Sequence, residues 1–132
     1  MNKIEHIGIA VNDLKTANSL FEKLLGVASY KEETVVSEGV KTSFFKTGPN
    51  KIELLESTKE DGPIAKFLAK KGEGIHHIAF AVDDITAEMA RLKKAGFILL
   101  NEVPKKGADN KLVAFVHPKT SNGVLIELCQ EA

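Results

Sequence analysis

The chain has 132 residues, enough for one domain with a sizeable hydrophobic core. Its 18 basic and 18 acidic residues cancel, so the charge balance does not favour nucleic acid as a partner. The single cysteine excludes an intrachain disulfide and is typical of a reducing compartment. No N-terminal apolar run indicates a signal peptide or a membrane span. We therefore expect a cytoplasmic protein that binds neither membranes nor nucleic acid.

The first half of the chain predicts one strand, one helix and then three strands. The helix begins after Asp13, whose side chain suits an N-cap, and ends at Gly26, which favours the left-handed conformation of a helix stop. Apolar residues between these two positions recur at helical spacing. The predicted strands cover residues 3–11, 27–37, 40–47 and 51–56. This order is a β-α-β-β-β unit, and a helical linker follows it.

The second half of the chain repeats this plan. Strands are predicted at residues 75–82, 97–103, 111–117 and 124–129, and a helix at residues 84–95. The polar stretch from Pro104 to Asn110 contains a glycine and is predicted to be a loop. We therefore predict an α+β fold in a single domain. Module one covers residues 1–60, the linker residues 61–73 and module two residues 74–132, all as approximate bounds.

Two short segments occur twice in the sequence. One repeat joins His6-Ile7-Gly8-Ile9-Ala10-Val11 to His77-Ile78-Ala79-Phe80-Ala81-Val82, at an offset of 71 residues. The other joins Ile52-Glu53-Leu54 to Ile126-Glu127-Leu128, at an offset of 74 residues. Internal repeats of this kind indicate that the two modules are copies of one structural unit. Each module therefore carries one histidine at the start of an apolar strand and one glutamate near its end.

Strand periodicity predicts what surrounds the two histidines. Alternate side chains share a face, so His6 lies beside Gly8 and Ala10, while His77 lies beside Ala79 and a second alanine. The bulky residues between them point to the other face, where a helix can pack. Small neighbours leave open space next to each imidazole, which an ordinary core strand would fill.

Two histidines and two glutamates in equivalent positions can converge on one point if the modules are related by a pseudo-twofold axis. An unpaired carboxylate inside an apolar strand is costly. Nitrogen and carboxylate ligands in this number suit a divalent transition metal that keeps positions open for substrate. We therefore predict that His6, Glu53, His77 and Glu127 bind one divalent metal ion, and Co, Ni, Zn and Mn all suit this ligand set.

The other candidate residues allow more than one interpretation. His76 is predicted to be structural, His117 to be a surface residue or a substrate contact, and Cys129 to be a small buried residue. Four lysines cluster in the loops of module two: Lys105, Lys106, Lys111 and Lys119. They form either a solvated face or a contact to the phosphates of an anionic substrate, with Lys111 and Lys119 as the substrate-binding candidates.

The sequence resembles the vicinal oxygen chelate superfamily, which includes glyoxalases, bleomycin resistance proteins and dioxygenases. Within it, the chain is most similar to the methylmalonyl-CoA epimerase family. The resemblance is carried by residues 4–11, 39–45, 52–56, 74–80, 117–119 and 123–128. The last two of these segments are typical of the epimerases, whereas the four predicted ligands are typical of the whole superfamily.

This resemblance implies an open, cupped mixed β-sheet that surrounds one metal site, in a protein that forms a homodimer. The implied reaction is the epimerisation of methylmalonyl-CoA, an acyl-CoA thioester. A proton is abstracted next to the thioester carbonyl through a metal-stabilised enolate and is returned on the other face. Glu53 and Glu127 would then be the two bases, because a pseudo-twofold axis would put them on opposite sides of a planar intermediate.

Two other functions stay open. Glyoxalase I (lactoylglutathione lyase), which acts on the methylglyoxal–glutathione hemithioacetal, has the same fold. Its members hold glutathione with an Arg and an Asn where this chain has Ala10 and Ser57. The third possibility is a non-catalytic member that only binds a ligand. Some epimerases have Gln at the position of Glu53 and take one base from a glutamate in the preceding strand, but residues 40–45 contain no acid, so the second base is open.

Overall fold

The computed structural model describes residues 1–132, which form eight strands and three helices. The chain is divided into two compact units: residues 6–76, and residues 77–132 together with residues 1–5. The β-α-β-β-β order occurs twice, so the predicted α+β class and the repeated module are confirmed. None of the three helices combines the length and the apolar character needed to cross a membrane.

Module one contains four strands and two helices. They are β1 (Lys3–Ala10), α1 (Leu14–Leu25), β2 (Lys31–Val35), β3 (Val40–Thr47), β4 (Asn50–Ser57) and the linker helix α2 (Pro63–Lys71). The strand order is β2-β3-β4-β1, and β1 runs parallel to β4. The strand predicted at residues 27–37 is shorter, because Val36–Glu38 form a 3-10 turn. Gly39 ends this turn at a φ of 65°, a left-handed value that favours glycine.

Helix α1 begins and ends where the sequence predicts. The hydroxyl and the backbone N–H of Thr16 both donate to the Asp13 carboxylate, and these hydrogen bonds hold the pKa of Asp13 below its usual value. Gly26 ends the helix at a φ of 75°. The apolar side of α1 packs on the bulky face of the sheet, with Val11, Leu14, Phe45 and Leu54 buried between them. The predicted helix-packing face of β1 is therefore confirmed.

The opposite face of β1 is covered at one end by α2. Ala10, Val40, Leu55 and Ile64 form a buried cluster there. The open space predicted along the His6 face of the strand is therefore filled at the Ala10 end, because Ile64 occupies it.

Module two contains the remaining strands and one helix. They are β5 (Gly74–Ala81), α3 (Ile85–Lys94), β6 (Lys105–Lys106), β7 (Lys111–Val116) and β8 (Ile126–Glu131). The strand order is β5-β8-β7-β6, and β5 runs parallel to β8. Helix α3 buries Ile85, Met89 and Leu92 in a cluster with residues of β7 and β8. The chain start joins this unit, since the N–H of Asn2 donates to the carbonyl of Ala81.

The strand predicted at residues 97–103 is wrong in extent. Only an isolated bridge between Leu99 and Val116 forms there. The reason is the side chain of Asn101, whose Oδ1 accepts the backbone N–H of Phe115 at 2.9 Å. A side-chain oxygen thus replaces the backbone carbonyl that a continuous ladder would supply.

The loop predicted from Pro104 to Asn110 is also corrected, because it contains β6 and a tight hairpin turn. Asp109 and Asn110 have φ values of 59° and 54°, and the N–H of Lys111 donates to the carbonyl of Ala108. Two successive positive φ values are the signature of a type I′ turn, in which Asp and Asn are favoured. The Asp-Asn pair was the sequence signal for this hairpin.

Both modules satisfy the first N–H of their long helix in the same way. In module one, Glu56 Oε1 accepts the N–H of Leu14 at 2.8 Å. In module two, Gln130 Oε1 accepts the N–H of Ile85 at 2.7 Å. Glu56 and Gln130 have the same 74-residue offset as the two repeated glutamates, so the repeat extends to the way the helices are fixed.

Candidate functional site

His6 and Glu53 form a buried pair in module one. Nε2 of His6 lies 3.2 Å from Oε1 of Glu53, and the two residues are 5% and 4% exposed. Their positions follow from the parallel pairing of β1 and β4, in which Gly8 is opposite Glu53. Because Gly8 has no side chain, it leaves room for the imidazole of His6 to reach the carboxylate.

His77 and Glu127 form the equivalent pair in module two. Nε2 of His77 lies 3.2 Å from Oε1 of Glu127, and the two residues are 4% and 6% exposed. Here the small residue opposite the glutamate is Ala79, in the parallel pairing of β5 and β8. The sequence repeat therefore corresponds to a repeat of side-chain geometry.

The donor atoms of each pair fit two neighbouring ligands of a divalent ion. With bonds of about 2.1 Å to nitrogen and oxygen, ligand atoms at tetrahedral or octahedral angles lie roughly 3.0–3.4 Å apart. The observed 3.2 Å falls within this range in both modules. Imidazole and carboxylate ligands suit Co, Ni, Zn and Mn, which is also the chemistry predicted from the sequence.

An aromatic residue lies directly opposite each glutamate on the next strand. In module one it is Phe44, paired with Glu53, and in module two it is Phe115, paired with Glu127. Phe44 is only 1% exposed and contacts the ring of Tyr30, with centroids 6.2 Å apart. Phe115 is half-buried. The two modules therefore share an aromatic position but cover it differently.

The ring of Phe115 contacts the imidazole of His77. The centroids are 6.3 Å apart and the planes lie at 86°, an edge-to-face arrangement. The ammonium of Lys105 lies over the same phenyl ring, 5.7 Å from its centroid. Sequence reasoning did not single out Phe115, and the signal that could have found it is its position opposite Glu127 in the repeat.

Lys111, a predicted substrate contact, is buried at 7% exposure and its ammonium contacts the carboxylate of Glu131. By the repeat offset of 71 residues it occupies the position of Val40 in module one. The positive charge of Lys111 is therefore engaged by Glu131 within the fold.

His117 and Lys119 lie together in the turn after β7. Nδ1 of His117 accepts the backbone N–H of Lys119 at 3.0 Å and caps the 3-10 turn Pro118–Thr120. The imidazole therefore has a local structural role. Contacts of His117 and Lys119 with substrate stay a prediction.

Two further acids are part of the surroundings and were missed in the sequence. Glu5 is buried at 5% exposure, and its carboxylate lies within 4.8 Å of the Cys129 sulfur. Cys129 is itself 1% exposed, as predicted for a small buried residue. Glu38 is half-buried at the end of the 3-10 turn that leads into β3, just before the segment that contains no acid.

Comparison with known proteins identifies the class of protein. The family model of the Glyoxalase/Bleomycin resistance protein/Dioxygenase superfamily matches residues 5–115. The chain belongs to this superfamily.

The relatives narrow the class further. The ethylmalonyl-CoA/methylmalonyl-CoA epimerase of Cereibacter sphaeroides is 44% identical over 133 residues, covering 98% of each chain. The mitochondrial methylmalonyl-CoA epimerase of Homo sapiens is 40% identical over 131 residues, covering 98% of this chain and 74% of the human protein. A solved variant of Streptomyces coelicolor methylmalonyl-CoA epimerase, in complex with 2-nitronate-propionyl-CoA, matches with a TM-score of 0.96 and 36% identity, covering 100% of this chain and 96% of that one. The predicted resemblance and the epimerase-like class of enzyme are confirmed.

Proposed function

We propose that this protein epimerises methylmalonyl-CoA. The observation that carries the proposal is the recurrence of one buried His–Glu pair, with the same 3.2 Å separation, in both modules. It is supported by relatives that match nearly the full chain and are named methylmalonyl-CoA epimerases.

The four residues His6, Glu53, His77 and Glu127 would together hold one divalent metal ion. A pair alone supplies two ligands, whereas a tightly held ion with positions open for substrate needs three or four from the protein. When bound, the ion would supply Lewis-acid stabilisation of the negative charge that develops on the substrate oxygens. Co, Ni, Zn and Mn all remain suitable for this ligand set.

The two glutamates would exchange the substrate proton. One carboxylate removes the proton from the carbon next to the thioester carbonyl, and the electron pair of the broken C–H bond moves toward the carbonyl oxygen. The other carboxylate, in its protonated form, returns a proton to the opposite face of the planar carbon. Each carboxylate has two oxygens, so metal binding through one leaves the other for the proton. General base catalysis at such a step is worth roughly 10²–10⁴-fold.

Glu127 is the first candidate for a base, because it lies in a segment typical of the epimerases. Glu53 is its repeat partner and the first candidate for the second base. Glu38 is the alternative, since it precedes β3, the strand in which some epimerases carry their second glutamate. Substitution of each acid separates these two choices.

The substrate class that we propose is an acyl-CoA thioester. It is supported by the S. coelicolor relative, whose structure contains 2-nitronate-propionyl-CoA. The homodimer implied by the resemblance is part of the proposal, and sedimentation equilibrium of the purified protein tests it.

Glyoxalase I is the rival that the chain supports less well. Its members hold glutathione with an Arg at the position of Ala10, which is fully buried against Leu55 and Ile64. They carry an Asn at the position of Ser57, whose hydroxyl donates to the carbonyl of Lys59 at 2.6 Å. An arginine could not occupy position 10 without displacing the cluster beneath α2.

The decisive assay compares the two substrates side by side. Purified protein reconstituted with each of the four metals would be given methylmalonyl-CoA and, separately, the methylglyoxal–glutathione hemithioacetal. We expect turnover of the first and not of the second. Turnover of the hemithioacetal alone would replace the epimerase with glyoxalase I, and turnover of neither would favour the ligand-binding member.

A further inference from the structure

We propose that Lys105 recognises an anionic group of the substrate beside the His77–Glu127 pair. That group is a carboxylate of the acyl moiety or a phosphate of coenzyme A, which share the chemistry of an oxyanion. The inference rests on the proposed function and adds which residue of this chain selects a negatively charged thioester.

Phe115 forms one side of the space next to the catalytic pair of module two. It is opposite Glu127 in the strand register, and its ring edge contacts His77. Its strand neighbours Ala114 and Val116 are buried, whereas Phe115 remains half-buried. The phenyl ring is therefore the part of β7 that borders both the imidazole and the surroundings of the protein.

Lys105 lies on the outer side of that ring. It pairs with Val113 in the antiparallel register, and directly paired residues share a face of the sheet. Val113 packs with Phe115 on the same face. The ammonium is 5.7 Å from the Phe115 centroid, which is itself 6.3 Å from the His77 centroid. Together these distances put the ammonium no more than about 12 Å from the imidazole, within reach of one bound ligand.

The backbone that carries Lys105 is held firmly against β7. Gly107, two residues on, lies so close to Val113 that a Cβ at Gly107 would be 3.0 Å from a methyl carbon of Val113. The N–H of Gly107 also donates to the carbonyl of Lys111. Together with the type I′ turn, these contacts make β6 a short fixed hairpin arm, so the lysine is presented at a defined position.

Electrostatics give this lysine a purpose that its neighbours do not share. The same face of module two carries the carboxylates of Glu127 and Glu131, with buried Glu5 nearby, and they repel an anionic ligand. Lys111 contacts Glu131, so its charge is already matched. A cation at Lys105 would offset the repulsion at the edge of the site and favour an anionic substrate.

The test compares Lys105→Gln with the matched control Lys106→Gln. Lys106 is the next residue of β6, but it pairs with Leu112, which packs against the α3 cluster on the other face. With methylmalonyl-CoA as substrate, we expect Lys105→Gln to raise KM about 5- to 30-fold with kcat nearly unchanged, as for loss of uniform binding. Lys106→Gln should leave both constants unchanged, and Lys105→Arg should restore most of the affinity.

The source of the anion is separated by a second substrate, methylmalonyl-pantetheine, which keeps the acyl carboxylate but lacks every phosphate of coenzyme A. A KM effect of Lys105→Gln that persists with this thioester identifies the carboxylate, and one that disappears identifies a phosphate. An unchanged KM with both thioesters, or an equal rise for Lys106→Gln, would overturn the inference. Absence of epimerisation by the wild-type protein would instead overturn the proposed function.

Discussion

The two modules share their strand plan, their His–Glu pair and the side chain that fixes the helix N-terminus, but they differ around the aromatic residue opposite the glutamate. In module one, Phe44 is buried beneath Tyr30, and α2 covers the same face at Val40. In module two, Phe115 is half-buried beneath Lys105, and Lys111 replaces Val40. The difference teaches that the repeat retained the groups that suit metal binding and proton transfer, while the surrounding residues became apolar support in one module and charged contacts in the other.

The largest effect is expected where the modules are alike. His6→Ala and His77→Ala should each lose bound metal and activity while keeping the helix-packing faces of their strands. Changes in the outer shell of a metal site already lower affinity about 10–100-fold, so loss of a ligand should lower it at least as much. His76→Ala is the matched control, because His76 contacts Phe67 and is adjacent to His77 in sequence. Metal analysis and circular dichroism measure the result, and stoichiometric metal in either ligand variant would remove the proposed site.

A smaller effect is expected where the modules differ. Phe44→Ala should lower the free energy of unfolding by about 3–5 kcal/mol, the usual range for a fully buried phenylalanine. Phe115→Ala should lower it by only about 1–2 kcal/mol, because part of its ring is already in contact with solvent. Urea unfolding of both variants provides the comparison. Equal losses would mean that Phe115 is as much a core residue as Phe44.

The smallest effect concerns the helix N-termini. Glu56 and Gln130 make the same hydrogen bond, but only Glu56 adds a negative charge next to the positive end of a helix. Glu56→Gln should destabilise the protein and Gln130→Glu should stabilise it, each by about 0.3–1 kcal/mol at neutral pH and low salt. Thermal unfolding measures both, and about 1 M salt should remove most of the difference by screening. A loss of stability in both variants would show that hydrogen-bond geometry outweighs the charge.

Much of the fold could be predicted because it is encoded locally. Asp13 and Gly26 mark the ends of α1 through capping and left-handed geometry, and both were readable in the sequence. The prediction was wrong at residues 97–103, where the Asn101 side chain competes with the backbone for the N–H of Phe115. Such a competition depends on a residue 14 positions away, which strand periodicity does not report.

The candidate site could be predicted as far as the repeat extends. The pairs His6–Glu53 and His77–Glu127 were predicted because identical segments recur at fixed offsets. The surroundings of the pairs could not be, because they lie where the two copies have diverged. Lys111 is an example: its sequence position among other lysines suggested a phosphate contact, and only the register of β7 with β8 reveals its partner Glu131.

The alternative second base requires its own variant before the central claim is measured. Glu38→Gln should exchange substrate protons as the wild-type protein does if Glu53 is the second base. A bias toward one epimer in Glu38→Gln, together with none in Glu53→Gln, would transfer that role to Glu38.

The most direct test of the account is the exchange of solvent deuterium into each pure epimer of methylmalonyl-CoA, followed by NMR in Glu53→Gln and Glu127→Gln. Glutamine keeps the size of the side chain and one oxygen, but it cannot accept the proton. We predict a fall in kcat of at least ~10²-fold for Glu127→Gln, with metal largely retained. We also predict that each variant exchanges one epimer faster than the other, with opposite preferences. Equal exchange of both epimers in both variants would contradict the assignment of one glutamate from each module to each face of the substrate.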